Sequence, residues 1–153
     1  MLKPVVVITC LEDSPPNVDR RLLEAYLRTI YQVREPPEFS FLVGRAPSET
    51  ASRWLDQHRI LSWAFLTAWN PRSAPLSDLE NRERNKRLAR EVDSGGWSFF
   101  PAWGIGPDKT WPAEESFWIL NISADRAAHL GRLFEQNALV WWSKGKPVEL
   151  WWL

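Results

Sequence analysis

The chain is poor in the residues that build covalently or metal-held scaffolds. Cys10 is the only cysteine, so no internal disulfide can form, and His58 and His129 are the only histidines, too few for a structural zinc ligand set. No metal and no cofactor is expected. Net charge is also missing: 19 basic residues balance 19 acidic ones, which removes the uniform field that draws proteins to nucleic acid or anionic membranes. Nothing approaches the roughly 20 apolar residues of a membrane-spanning helix, and the run Pro4 to Leu11 is far shorter than a secretion signal. A soluble, cytoplasmic protein that is not exported is the expectation. No Ser/His/Asp, Cys/His or phosphate-loop signature occurs, and Gly104-x-Gly106, followed by Pro107, lacks the rest of a dinucleotide fingerprint. Whether the chain is an enzyme stays open.

What it has in excess is tryptophan, eleven residues in 153, including the doublets Trp141-Trp142 and Trp151-Trp152. Spread over nearly every expected element, most of these rings read as packing residues. The length is that of one domain, 1–153. Arg82, Arg84, Lys86, Arg87 and Arg90 form a basic run, but Glu80, Glu83 and Glu91 are mixed through it, the pattern of a solvated helix face.

The stretch from Trp63 to Asn81 organises the rest. Trp63 to Trp69 is apolar on both parities, as in a central strand covered on both faces. Asn70-Pro71 ends that strand. Ser77-x-x-Glu80 has capping-box spacing, so a helix starts near Ser77, with Asn81, Asn85, Leu88 and Val92 on one stripe, Arg84 beside it, and Gly95-Gly96 as its stop. Amides would thus gather with Asn70, Arg72 and Ser73 where the strand ends and a helix N-terminus begins, a common place for ligands. The competing reading makes them scaffold: Asn70 capping a turn, Asn81 tying down the loop, Arg72 solvated.

Elsewhere, Val5 to Ile8 has high β propensity, and Asn17 is placed to cap a helix whose stripe is Val18, Leu22, Tyr26 and Ile30, closed by Pro36-Pro37. A strand is expected at Phe39 to Val43 and a short helix at Glu49 to His58. Another strand should span Trp97 to Trp103, an edge or bulged one because of Pro101. Phe117 to Ile122 reads as a strand, Ser123 as the cap of a last helix, and Leu139 to Leu153 as a final hairpin. The order implies an α/β or α+β domain with a single mixed sheet packed against helices, its second half a ferredoxin-like βαββαβ followed by the hairpin. Glu114 and Glu115 open a strand and so face opposite ways. If Glu115 is the inward one, it is the only plausible general base, with a structural ion pair to Arg72 or Arg84 as the alternative.

The motifs Tyr26-x-x-Thr29-x-Tyr31, Thr67-Ala68-Trp69-Asn70-Pro71-x-Ser73, Asn81, Trp111-x-x-Glu114-Glu115-Ser116-Phe117 and Phe134-x-Gln136-Asn137-Ala138 together resemble an uncharacterised bacterial family, the domain of unknown function 3293. The resemblance runs from Tyr26 to the end, leaving residues 1–25 outside it. It implies no activity, but marks Asn70, Ser73, Asn81, Glu115 and Gln136 as candidates for one site. The first functional expectation is a polar pocket for a small anionic metabolite or nucleotide. Asn70, Ser73 and Asn81 would hold the anion, Arg72 or Arg84 would add charge, Gln136 would orient it, and Glu115 would serve any hydrolase or transferase chemistry. The second is an interaction module, self-associating or binding another protein through the tryptophan-rich hairpin.

Overall fold

The computed structural model describes residues 3–35 and 38–153. Met1, Leu2 and the Pro36-Pro37 pair, read above as the close of the first helical segment, lie outside the described residues. The elements in order are β1 (Val6–Ile8), α1 (Arg20–Arg28), β2 (Ile30–Val33), β3 (Phe39–Phe41), α2 (Glu49–Gln57), β4 (Ser62–Leu66), α3 (Asp78–Ser94), β5 (Phe99–Ile105), β6 (Glu114–Leu120), α4 (Ala124–Leu133), β7 (Ala138–Ser143) and β8 (Glu149–Trp152), with single 3-10 turns at Leu11–Asp13 and Pro71–Ser73.

Among the described residues, eight strands join one sheet in the order β1-β8-β7-β4-β6-β5-β2-β3. Every pairing is antiparallel, so the fold is α+β and the mixed sheet expected from the sequence gives way to a uniform one. β4, with both parities buried, takes the middle position between β6 and β7. The expected βαββαβ unit is present as β7-β4-β6-β5, in which β6 separates β4 from β5, the split arrangement of ferredoxin-like folds. α3 and α4 cover one face of this unit through Leu88, Val92, Ala127, Leu130 and Phe134.

The opposite face is concave. Phe41 on β3 and Trp63 on β4 lie four steps apart in the strand order, which in a flat sheet would separate them by about 19 Å. Their ring centroids are 4.6 Å apart. The sheet therefore curls on itself, and the Gly44 N–H donates to the Val148 carbonyl at 2.8 Å while the Val148 N–H donates to Arg45 at 2.9 Å, almost closing a barrel. Gly44 has φ +86°, and a Cβ there would stand 2.6 Å from the Thr9 carbonyl oxygen, so the seam needs glycine. Inside the curl, Phe39, Phe41, Trp63, Phe65 and Trp118 pack with Leu23 of α1 and Leu55 of α2.

Three local expectations change. Asp19, not Asn17, caps α1, accepting from the Arg21 and Leu22 N–H groups at 2.8 and 3.4 Å. The helix ends at Arg28, where the Thr29 hydroxyl bonds the Ala25 carbonyl at 2.6 Å, and Ile30 enters β2 instead of continuing the stripe. β5 is interior, but its ladder with β2 stops at Ala102, so Pro101 has only β6 beside it and its missing N–H breaks no bond to β2.

Candidate functional site

The amides on α3 are engaged with backbone. Asn85 accepts the Ala68 N–H at 2.9 Å and donates to the Glu115 carbonyl at 2.9 Å. Asn81 accepts the Asn70 N–H at 2.8 Å and donates to the Asn70 Oδ1 at 2.8 Å, which also takes the Leu76 N–H at 3.0 Å. Arg84 donates through Nε to the Ala68 carbonyl at 2.8 Å, bonds the Phe134 carbonyl and pairs with Glu135 at 3.6 Å. These bonds hold an irregular stretch in which Asn70, Arg72 and Ser73 have φ of 45°, 51° and 60°, left-handed conformations that non-glycine residues adopt only when surrounding structure imposes them. The Arg72 side chain is exposed, and its N–H donates to the Glu135 carbonyl at 2.8 Å.

Beside this framework, at the end of the concave face where β4 and β5 finish and β6 and β7 begin, lies a cavity of about 390 Å³. α1 and its C-cap contribute Leu22, Tyr26 and Thr29; β2 Tyr31; β4 and its extension Phe65 and Thr67; the β5–β6 turn and its flanks Gly104, Asp108, Trp111, Glu114 and Ser116; the last strands Val140 and Leu150; Ser73 and Gln136 complete the polar rim. Gly104 faces Tyr31 across one ladder and Glu114 across the other. Partners directly opposite share a face, so its missing side chain leaves space in the cavity. A Cβ there would touch only Thr29 Cγ2, at 3.8 Å.

Two adjacent carboxylates exchange roles relative to the sequence expectation. Glu114 shares the concave parity with Ser116 and Trp118 and lines the cavity; Glu115 is exposed, and only its backbone carbonyl is engaged, by the Thr67 hydroxyl at 2.6 Å and by Asn85. Glu115 is thus removed from the general-base position and from any ion pair with Arg72 or Arg84. Burial pushes the Glu114 carboxyl above the usual carboxylate range, against hydrogen bonding from Trp111 and Asn70. Burial likewise raises the Tyr26 phenol, with the Ser73 hydroxyl working the other way. The Tyr31 phenol is raised by burial too, its hydroxyl bonded to the Tyr26 carbonyl at 2.9 Å.

Of the expected ligand-binding residues, Ser73 and Gln136 line the cavity and Asn70 reaches Glu114; Asn81 and Arg84 are support, and Arg72 faces solvent. Among the described residues lining the cavity there is no Lys, Arg or His. Tyr26, Thr29, Tyr31, Thr67, Trp111, Glu114 and Ser116 belong to the motifs quoted above, so a signal for them was present. Gly104 had none beyond its place in a strand.

The tryptophan doublets alternate between faces as expected, but both faces are packed. Trp142 lies 6.2 Å from Trp63 in the concave core, Trp141 and Trp151 stack at 4.6 Å beneath the helices, and Trp152 meets Tyr26 edge-on at 5.8 Å. Trp141, Trp142 and Trp151 are each at most 7 % exposed, which removes the ring surface on which the interaction-module expectation rested.

Fold and cavity together define an α+β domain whose curled antiparallel sheet, ferredoxin-like in its middle, holds a cavity at its open end. The family described as "Protein of unknown function (DUF3293)" matches residues 66–139, from the end of β4 to the start of β7, and over that stretch the chain is similar to it. The Tyr26 to Tyr31 motif lies outside the matched stretch. No curated protein and no solved structure matches the chain. Among the described residues no helix is long and apolar enough to cross a membrane.

Proposed function

We propose that the domain binds a small, largely apolar molecule in the cavity at the mouth of the curled sheet, with Glu114 as its polar anchor. One observation carries the reading: side chains from α1, β2, β4, the β5–β6 turn and β7 converge on a single cavity that contains a part-buried carboxylate with no ion-pair partner among the described residues. Ligand sites are characteristically concave, mostly apolar, and carry a few convergent polar groups. The anionic metabolite or nucleotide expected from the sequence fits poorly, because a wall with two carboxylates and no cation repels it.

The test is a thermal-shift screen of small neutral, cationic and anionic compounds on the wild type and on Gly104→Val. A ligand at a hundredfold excess over its dissociation constant stabilises by about 2.7 kcal/mol. The valine fills the space between Tyr31 and Glu114 on a strand where β-branched residues are favoured, so the variant is expected to fold and to lose every hit. Hits that survive in the folded variant would move the binding site elsewhere. Turnover is a second reading, favoured by burial of Glu114: a carboxyl shifted upward suits a general acid or base. A hydrolase or transferase of this kind would lose its rate in Glu114→Gln.

A further inference from the structure

We infer that the ligand is an organic cation, a small amine whose ammonium group is held by Glu114. This rests on the pocket reading and adds the chemical class. A Ser, Thr or Tyr hydroxyl has one hydrogen to give, and a carbonyl oxygen can only accept. Thr29 gives its hydrogen to the Ala25 carbonyl at 2.6 Å, Tyr31 to Tyr26 at 2.9 Å, Thr67 to Glu115 at 2.6 Å, and Ser116 to Glu114 at 3.1 Å. The Gln136 amide nitrogen is directed at the Trp69 and Phe134 carbonyls, each at 3.2 Å. These donors are therefore turned into the protein, and the Trp111 indole and the Asn70 amide are spent on the Glu114 carboxylate itself.

What the cavity retains is acceptor capacity: the Glu114 carboxylate, the Asp108 oxygen left over after Oδ1 takes the Thr110 N–H and hydroxyl, and the lone pairs of those hydroxyls. Of the hydroxyls in the wall, only Tyr26 and Ser73, 3.5 Å apart with Ser73 already accepting from Asn137 at 3.0 Å, keep a hydrogen to offer. An anion would meet one free hydroxyl, donors already turned to Glu114, and two carboxylates. A neutral hydrocarbon would bury the carboxylate further with no opposite charge to pair it, which is costly. An ammonium brings up to three donors and the opposite charge, and Tyr26, Tyr31, Phe65 and Trp111 supply the aromatic surroundings that cations favour.

The experiment titrates three probes of one shape, phenethylamine, 2-phenylethanol and 3-phenylpropionate, into the 15N-labelled chain, following the backbone amides of Ser116 and Gln136. In the wild type the amine is expected to bind about 10- to 100-fold more tightly than the alcohol, the range of a charge-assisted hydrogen bond, and the propionate most weakly. In Glu114→Gln the amine's advantage should collapse while the alcohol's affinity is kept. Equal binding of alcohol or propionate at the same amides would overturn the cation and leave the pocket standing. An amine preference unchanged in Glu114→Gln would also overturn it. No shift with any probe would overturn both readings. The wild-type comparison decides even where the variant fails to fold.

Discussion

Two groups of polar side chains lie within a few residues of one another and do opposite work. Asn70, Asn81, Asn85 and Arg84 direct most of their hydrogen bonds at one another and at the backbone around the end of β4, whereas Tyr26, Glu114 and the hydroxyls around them leave acceptors facing a cavity. The first group is the more buried, Asn81 at 1 % exposure, and to a reader of sequence the more conspicuous. Density of polar residues marks a place where irregular backbone has to be satisfied. A binding site is marked by what is left unsatisfied.

Substitutions should separate the two groups, and the largest effect belongs to the framework. Asn85→Ala strips the Ala68 N–H of its partner and leaves the Glu115 carbonyl only the Thr67 hydroxyl, and should destabilise by about 1–3 kcal/mol, the cost of one abandoned buried group. Urea denaturation with an unchanged m-value is the measure, and a loss under 1 kcal/mol would dissolve the distinction. Next comes Glu114→Gln, with the opposite sign. A carboxyl whose folded pKa is raised contributes its stability below the unfolded pKa and loses it as pH rises through the folded value. Glutamine imitates the protonated form, so the variant should melt higher than the wild type at neutral pH, and the two should converge as pH falls to the ordinary carboxylate range. A variant less stable at neutral pH would place Glu114 in the framework. The smallest effect is expected for Glu115→Gln, within about 0.5 kcal/mol of wild type and without influence on any ligand, since that side chain is exposed.

Much of the framework was legible in the sequence. Ser77 and Glu80 predict the start of α3, and its buried residues are Asn81, Asn85, Leu88 and Val92, the stripe that helical spacing selects. β2 was hidden because Leu27, Ile30 and Tyr31 continue an apolar helical pattern; the turn at Thr29 depends on a hydroxyl contact that periodicity does not register. The choice between Glu114 and Glu115 was undecidable from alternation alone, since Phe117 and Ile119 on one parity of β6 are as apolar as Trp118 and Leu120 on the other. The amides looked like ligand groups for a related reason: composition shows that a donor is present, not where its hydrogen goes. The curl, and with it the cavity, comes from contacts between β3 and β4 and between Gly44 and Val148, segments that no local pattern connects.

The pairing of β1 with β8 carries a kinetic consequence. Val6 lies opposite Trp152, so this ladder joins segments far apart in the sequence, while β4 through β7 fold back on neighbours closer in the chain. Pairings of high contact order form slowly, because a long loop must be closed before they return any stabilisation. The ferredoxin-like middle is thus the expected nucleus, and the outer strands the late arrivals. The cavity draws walls from both, Phe65, Glu114 and Val140 from the middle and Tyr31 and Leu150 from the outer strands. It comes into being only when folding is nearly over, and a molecule that occupies it would act as a clasp on the final step, slowing unfolding more than it speeds folding.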